Sequence, residues 1–293
     1  GFMNEQKLAA DGVPRAPQPE PQCSGPFTDA RDCPVHGQTE PSRHGAVDGV
    51  LTEVGHMARV ELIAECSSNH GGDISLAKEF IHAFAEAGAD WIKFQTTRVK
   101  HLRPDDPQYD WFKRAELSDE AHHELKAECE QAGVKFLTTV YHADEVPFLA
   151  SLGLEAIKIG SGEAGEVALA SAVRGIGFQR VFVSMGLWAG WEPWRNEAEM
   201  FRCVTRYPCP SAFARHGAIA YSPPYVGWSD HCVGLEGCYS AILDCATIIE
   251  KHVCLPHQAR PIRSWEATVE QFKELRAFAD EDPSRFLGRW QRA

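Results

Sequence analysis

Short apolar runs alternate with amphipathic segments from Val60 almost to the end of the chain. The runs are rich in Val, Ile and Phe, as buried strands are, whereas the intervening segments show helical spacing. The pattern predicts strands near 60–65, 91–95, 135–140, 156–160, 180–184 and 201–205, a seventh ending just before Ser229 and an eighth ending at His252. It predicts helices near 75–87, 118–132, 143–152, 165–175, 234–246 and 266–280.

Eight strands that alternate with helices predict an α/β fold closed as a (β/α)₈ TIM barrel, covering residues 57–293. An open, doubly wound sheet is the alternative, but no Gly-x-Gly-x-x-Gly follows the first strand, so a dinucleotide site is not expected. Residues 1–56 are rich in Pro, Gly, Asp and Gln and lack periodicity, which predicts an extended, Pro-rich N-terminal arm.

Composition narrows the class of protein. The formal charge is −12, from 29 basic and 41 acidic residues, which argues against nucleic acid or an anionic membrane surface as partner. No apolar run approaches the roughly 20 residues of a membrane span, and no signal-peptide pattern opens the chain. The ten cysteines contain no C-x-x-C pair, and Cys23, Cys33 and His36 fit no standard metal site. We therefore expect a cytoplasmic enzyme with reduced thiols.

Polar side chains follow the predicted strands, where the active site of a parallel barrel lies. His231 and His252 end the last two strands and can together hold one divalent metal, although two ordinary polar strand-end residues are the alternative. Glu250 shares a strand face with His252 because side chains alternate along a strand. The polar residues at or just after the strand ends are Glu65, Gln95, Thr139, Ser161, Ser184, Tyr207, His231 and His252.

Two lysines occupy strand positions that point into the predicted barrel. Lys93 is two residues from Gln95 on the second strand, and Lys158 lies on the fourth. A buried lysine is costly unless an anion neutralises it, so the pair predicts an anionic ligand with phosphate or carboxylate groups. Ser161, Ser184 and Ser229 add hydroxyls, although each serine taken alone is more often a helix N-cap.

Seven motifs occur in one order along residues 60–275: IAECSSNHG at 63–71, IKFQT at 92–96, FLTT at 136–139, IKIGSGE at 157–163, YP at 207–208, GWSDH at 227–231 and IEKH at 249–252. In this order and spacing the chain resembles the sialic acid synthase family, which also includes legionaminate, pseudaminate and spore-coat polysaccharide synthases. The resemblance implies a metal-dependent barrel enzyme that condenses phosphoenolpyruvate with an aldehyde, releases phosphate by C–O cleavage and makes a 2-keto-3-deoxy acid.

The resemblance also implies roles for matching residues. His231 and His252 match the metal ligands, with Mn²⁺ or Mg²⁺ favoured and Co²⁺, Fe²⁺ or Zn²⁺ open. Catalytic roles fall to Glu65, Gln95 and Glu163, and acceptor binding to Asn69 and Tyr207. The residues that match the phosphoenolpyruvate site are Lys93, Thr139, Lys158, Ser161, Ser184 and Ser229.

The chain also departs from the family pattern. Thr205 replaces an asparagine, and residues 255–263 contain no acid where the family has an aspartate in a Pro-Gly-Pro-Asp loop. The family's C-terminal antifreeze-like domain is not expected in a chain that ends at Ala293. Pairing of two barrels as a homodimer stays open. Trp188, Trp191 and Trp194 favour a core or interface over a lid on an unusual acceptor.

These departures predict an altered aldehyde acceptor beside an unaltered phosphoenolpyruvate and metal site. Two other interpretations stay open. One is a metal-dependent barrel aldolase or isomerase that does not use phosphoenolpyruvate, and the other is a non-catalytic barrel that acts as a partner protein.

Overall fold

The structure is a computed structural model that describes residues 59–186, 194, 197–210, 221 and 223–281. The predictions for the N-terminal arm, for Cys23, Cys33 and His36, and for Trp188 and Trp191 fall outside these residues. The domain boundary near residue 57 therefore stays a prediction.

Eight parallel strands pair in chain order, and the last closes on the first, so the described part of the chain forms a closed barrel. This confirms the predicted TIM barrel and excludes the open sheet. The sixth strand begins and ends two residues earlier than the pattern predicts. The strands are β1 (Glu61–Ser67), β2 (Trp91–Thr96), β3 (Lys135–Val140), β4 (Ala156–Ile159), β5 (Arg180–Ser184), β6 (Glu199–Cys203), β7 (Tyr225–Asp230) and β8 (Ile248–His252).

The helices lie between the strands, close to their predicted positions. The segment predicted as a helix over 143–152 begins with a 3₁₀ turn, Ala143–Glu145. No helix among the described residues is long and apolar enough to cross a membrane. The α-helices are α1 (Ile74–Glu86), α2 (Tyr109–Ala115), α3 (Asp119–Gln131), α4 (Val146–Ser151), α5 (Val167–Ile176), α6 (Glu236–Leu243) and α7 (Val269–Asp280).

Local signals explain several of the helix ends. The Ser118 side chain accepts a hydrogen bond from the Ala121 backbone at the start of α3, as its Ser-Asp-Glu sequence predicts. Thr268 and Gln271 form a reciprocal capping box at the start of α7. The short α2 was not predicted, because seven residues are too few to show a helical period.

An apolar layer fills the barrel below the polar strand ends. The Trp91 and Phe182 rings meet edge to face with centroids 5.6 Å apart, and Phe182 lies 5.4 Å from Phe201. All three side chains are fully buried. Below them Arg180 forms ion pairs with Glu61 and Glu199 at 2.8 and 2.6 Å. The polar layer above therefore rests on a solid, water-excluding floor.

Helix faces cover the outside of the barrel with a second apolar layer. Phe80 and Phe84 of α1 are fully buried, and Phe84 packs against Phe272 of α7 at 5.4 Å. Trp194 is buried, and its indole N–H donates to the Ala164 carbonyl at 2.6 Å. For Trp194, the predicted core role is confirmed.

The floor layer yields a stability prediction. Replacing Phe182 with Ala should lower the free energy of unfolding by about 3–5 kcal/mol, because the two neighbouring rings cannot close the space. Urea unfolding followed by circular dichroism measures the change. Val167→Ala is the control, since Val167 is 66% exposed and should stay within about 0.5 kcal/mol of the parent. A Phe182→Ala loss as small as the control's would contradict the buried floor.

Candidate active site

A cavity opens at the carboxyl ends of the strands and encloses about 410 Å³, part of it open to solvent. Eleven of the thirteen predicted site residues line it, and Asn69 and Glu163 do not. Tyr141, Gly160 and Cys203 also line it without having been predicted. The lining residues are Glu65, Lys93, Gln95, Thr139, Tyr141, Lys158, Gly160, Ser161, Ser184, Cys203, Tyr207, Ser229, His231, Glu250 and His252.

The strand register brings these residues to one height in the barrel. Glu65 on β1 is paired with Lys93 on one side and with His252 on the other. Thr139 is paired with Lys158, and Ser229 is paired with Glu250. Neighbouring residues in register point to the same side of the sheet, so their side chains form one inward ring.

The two histidines approach each other at the edge of this ring, with ring centroids 5.4 Å apart. His231 Nδ1 lies 2.7 Å from the Val204 carbonyl oxygen, which can only accept, so Nδ1 carries the hydrogen. The lone pair on Nε2 then accepts from the Tyr207 hydroxyl at 3.0 Å. Burial, followed by the neighbouring His231, lowers the pKa of His252 well below its usual value. His252 thus has the neutral form that binds metals, and the Nδ1 hydrogen bond of His231 leaves Nε2 as its ligand atom.

A buried ion pair lies on the outer face of the same two strands. Lys251 pairs with Asp230 and also donates to the Cys232 carbonyl at 2.7 Å. Trp228 donates its indole N–H to Asp230 at 2.8 Å. Because Asp230 and Lys251 each immediately precede a histidine, the pair fixes the backbone from which the two imidazoles project.

Four buried charged groups occupy the centre of the site. Lys93 Nζ lies 3.2 Å from both Glu65 Oε2 and Glu250 Oε2. Lys158 Nζ lies 3.6 Å from the same Glu250 oxygen. The sequence indicated that both lysines point inward and that an anion neutralises them. Glu250 supplies part of that negative charge, because its single carboxylate lies between the two ammonium groups.

Hydroxyl groups complete the coordination of these charges. Lys93 donates to Thr139 Oγ1 at 3.1 Å, and Lys158 donates to Ser184 Oγ at 2.8 Å. Ser229 donates to Glu250 Oε1 at 2.8 Å. Three of the hydroxyls predicted to bind an anion therefore lie within the lysine cluster itself.

The two carboxyl groups of the cluster have opposite pKa shifts. Burial, together with the nearby Glu250 charge, raises the pKa of Glu65 to about 7, against the attraction of Lys93. Burial also acts against ionisation of Glu250, but Lys158 and Lys93 outweigh it and hold the pKa of Glu250 well below its usual range. Two lysines thus share one firmly ionised carboxylate, beside a second carboxyl that is partly protonated near neutral pH. Burial also lowers the pKa of Lys158.

Ser67 links the charged cluster to the histidines, and it was not predicted to do so. Its hydroxyl donates to Glu65 Oε1 at 2.9 Å and lies 3.4 Å from His252 Nδ1. The pairing of β1 with β2 shifts register between Glu65 and Ser67, and Ser67 has a φ of 52°. Gln95 also donates to Glu65 Oε1, at 3.1 Å. The irregularity turns the Ser67 hydroxyl back toward the site.

The other two predicted residues lie just outside the cavity. The Asn69 amide donates to the Val253 carbonyl at 3.0 Å and to Glu266 Oε1 at 3.1 Å, so it anchors the loop after β8. Glu163 is buried, and its Oε2 lies so close to Gly160 that a Cβ there would be 2.8 Å away. The acceptor-binding role of Asn69 and the catalytic role of Glu163 stay predictions.

Comparison with known proteins identifies the family of this chain. The family model described as NeuB family matches residues 80–281, more than half of the chain. The chain belongs to the NeuB family. It is 28% identical to the N,N'-diacetyllegionaminic acid synthase of Campylobacter jejuni over 230 residues, which cover 68% of this chain and 69% of that enzyme.

Two further similarities agree with this membership. The chain is 25% identical to the N-acetylneuraminate-9-phosphate synthase of Mus musculus over 221 residues, 66% of this chain and 62% of that protein. A crystal structure of the N-acetylneuraminic acid synthetase of Leptospira borgpetersenii superposes with a TM-score of 0.70 at 26% identity, covering 78% of this chain and 85% of that one. The predicted resemblance and the prediction of a synthase that acts on small molecules are confirmed.

NeuB family membership implies a divalent metal, and the described residues contain two places to consider. The histidine pair brings two imidazoles to the cavity, and their donor chemistry fits such an ion. Elsewhere His101, Asp144 and Glu145 bring three potential ligand atoms within 4.8 Å of one another. Lys100 already lies 2.9 Å from Asp144, and Arg98 lies 3.0 Å from Glu145. That second group already takes part in ion pairs with basic side chains. The assignment of the metal to the histidine pair stays a prediction.

The raised pKa of Glu65 gives the site a measurable pH signature. A carboxyl whose folded pKa exceeds its unfolded value stabilises the fold at low pH and loses that contribution as pH rises through the folded pKa. Relative to Glu65→Gln, the parent should therefore lose stability between pH 4.5 and about 7, by at most about 1.4 kcal/mol per pH unit.

Urea unfolding of the parent and of Glu65→Gln across this range, both free of metal, measures the difference. The difference should be constant at higher pH, where the carboxyl is ionised in both states. A difference that stays flat from pH 4.5 to 7 would mean that the pKa of Glu65 is not raised.

Proposed function

We propose that this protein condenses phosphoenolpyruvate with a sugar-like aldehyde. The enol carbon of phosphoenolpyruvate forms a bond to the aldehyde carbon, which generates an oxocarbenium centre at C2. Water adds to C2, and the bond between C2 and the phosphate oxygen then breaks. One phosphoenolpyruvate, one aldehyde and one water thus give one 2-keto-3-deoxy acid and one phosphate.

The sharing of one carboxylate by two buried lysines is the observation that carries this proposal. Lys93 and Lys158 are almost fully buried, and they share one firmly ionised carboxylate, Glu250. A trianionic ligand with a carboxylate and a phosphate supplies the missing negative charge and accepts from the lysine and hydroxyl donors. The donors assigned to phosphoenolpyruvate are Lys93, Thr139, Lys158, Ser161, Ser184 and Ser229.

His231 and His252 are the residues that would hold the divalent metal. When bound, such an ion supplies Lewis-acid polarisation of the aldehyde carbonyl. The hydrogen bond from His231 Nδ1 to Val204 directs Nε2 into the cavity at Tyr207, so the protein orients the ligand atom in advance. The choice among Mn²⁺, Mg²⁺, Co²⁺, Fe²⁺ and Zn²⁺ is open to measurement.

Glu65 is the proposed proton-transfer group. Its pKa of about 7 allows it to donate a proton to the aldehyde oxygen during C–C bond formation and to accept one from the water that adds to C2. Gln95 and Ser67 hold the Glu65 carboxyl in place at 3.1 and 2.9 Å. Tyr207 and Asn69 are proposed to face the acceptor, and Glu163 is proposed to assist from beneath Gly160.

Phosphate release tests the reaction directly. Purified protein with Mn²⁺ or Mg²⁺ should release inorganic phosphate from phosphoenolpyruvate only when a suitable aldehyde from a panel of aldoses is present. Lys158→Met should lower kcat/KM at least about 100-fold, because it removes a buried charge that meets the anion and leaves Glu250 less compensated. Lys273→Met is the matched control, since Lys273 is exposed on α7.

Activity of Lys273→Met should equal that of the parent, while circular dichroism shows that both variants fold. If no aldehyde of the panel supports phosphate release, the proposal is overturned. Conversion of an aldehyde or ketose without phosphoenolpyruvate would instead favour an aldolase or isomerase. Absence of both ligand binding and turnover would favour a non-catalytic barrel.

Metal binding distinguishes the two candidate metal sites. His231→Ala and His252→Ala should each weaken Mn²⁺ binding by at least about 100-fold, because each removes one of two imidazole ligands. His101→Ala is the matched control and should bind Mn²⁺ as the parent does. Titration calorimetry or the Mn²⁺ EPR signal measures the affinity, and loss of binding only in His101→Ala would move the metal to the ion-pair cluster.

A further inference from the structure

The loop after β8 places an arginine beside the histidine pair, at the mouth of the cavity. The Arg263 guanidinium lies 5.5 Å from the centre of the Trp265 ring, and that ring lies 5.5 Å from Tyr207. Tyr207 in turn packs against His231, with ring centroids 4.1 Å apart. Two aromatic rings, Trp265 and Tyr207, therefore connect this cation to His231.

Arg263 is only partly neutralised in this position. Its side chain is 21% exposed, and Glu266 Oε1 lies 3.5 Å away. That carboxylate already accepts from the Asn69 amide at 3.1 Å and from the Arg263 backbone N–H at 2.9 Å. Burial lowers the pKa of Arg263, with Glu266 opposing the shift. A second anion would therefore be bound favourably at this guanidinium.

Two more guanidinium groups lie on the same rim. Arg260 and Arg114 both stack on Trp111, at 4.8 and 4.7 Å from its ring. Arg260 also donates to Ser68 Oγ at 3.3 Å, next to Asn69. None of the ion pairs in the described part of the chain involves Arg260 or Arg114. A local excess of arginine is notable in a chain with a formal charge of −12.

An unused donor also lies at this mouth. The Trp265 indole nitrogen is buried and has no hydrogen-bond partner among the described residues. A buried N–H without an acceptor costs free energy, and an acceptor atom brought to it would remove that cost.

We propose that the acceptor aldehyde carries an anionic group, a phosphate or a carboxylate, which Arg263 binds at the mouth of the cavity with Arg260 nearby. This inference rests on the proposed function, since it concerns the second substrate of the same site. A cation at this position favours acceptors of the opposite charge.

Matched aldehydes test the inference. Phosphate release is measured with glucose, glucose 6-phosphate and glucuronate, and with arabinose and arabinose 5-phosphate, at saturating phosphoenolpyruvate and Mn²⁺. At least one charged aldose should exceed its neutral parent in kcat/KM by about tenfold or more. Preference for the phosphate ester or for the uronic acid identifies which anion the arginine binds.

Variants of Arg263 test whether this residue causes the preference for a charged aldose. Arg263→Gln should raise KM for the charged acceptor about 10- to 100-fold, leave KM for phosphoenolpyruvate unchanged and change turnover of the neutral aldose little. Arg263→Lys should restore part of the loss. Arg59→Gln is the matched control, because Arg59 precedes β1 at the opposite end of the barrel and pairs with Asp90.

Three outcomes would overturn the inference while leaving the proposed function in place. They are equal use of neutral and charged aldoses, a rise in KM for phosphoenolpyruvate instead of the acceptor, and an Arg263→Gln variant that folds and discriminates as the parent does. If neither a charged nor a neutral aldehyde supports phosphate release, the proposed function itself is overturned, and this inference with it.

Discussion

The sharing of Glu250 between Lys93 and Lys158 is the constraint around which the site is built. Burying two ammonium groups in a barrel requires compensation, and one carboxylate supplies only half of it. A second carboxylate, Glu65, is close enough to help, yet burial and the Glu250 charge raise its pKa to about 7. The protein therefore compensates the lysine pair only in part, and we propose that a multiply charged anion completes the compensation. The same incompleteness leaves Glu65 free to exchange a proton at neutral pH.

Rigid packing on two sides of the charged cluster holds this arrangement in place. Beneath it, the aromatic floor around Phe182 excludes water, which keeps the charges strongly coupled. Behind it, the Asp230–Lys251 pair joins the outer faces of β7 and β8, one residue before each histidine. Gly237 shows how tightly that pair is enclosed, since a Cβ there would lie 2.1 Å from Asp230 Oδ1. The imidazoles are thus held by backbone that cannot easily shift.

Hydrophobic periodicity predicted the barrel and most of the cavity lining, because a parallel barrel brings all strand ends to one face. A period of two was enough to place Lys93, Lys158 and Glu250 inward. It did not predict Ser67, whose orientation arises from a register shift within β1. It also did not place Cys203 in the cavity, because β6 ends two residues earlier than its apolar run indicates. The short α2 and the loop after β8 have no period from which tertiary contacts can be derived.

Different features of the chain therefore determine the two halves of the site. The lysine and histidine half is fixed by strand register, so sequence motifs are sufficient to place it. The proposed acceptor half is formed by loops that meet at the rim. There Ala259 lies so near Gly71 that a Cβ on that glycine would be 2.5 Å from the Ala259 Cβ. Together with the hydrogen bond from the Ala259 backbone to the Asn69 carbonyl at 2.9 Å, this close packing holds the β8 loop against the β1 loop. Under the proposed function, acceptor choice is consequently a property of loop packing, and a change of charge there would alter substrate selection without altering the bond-forming chemistry.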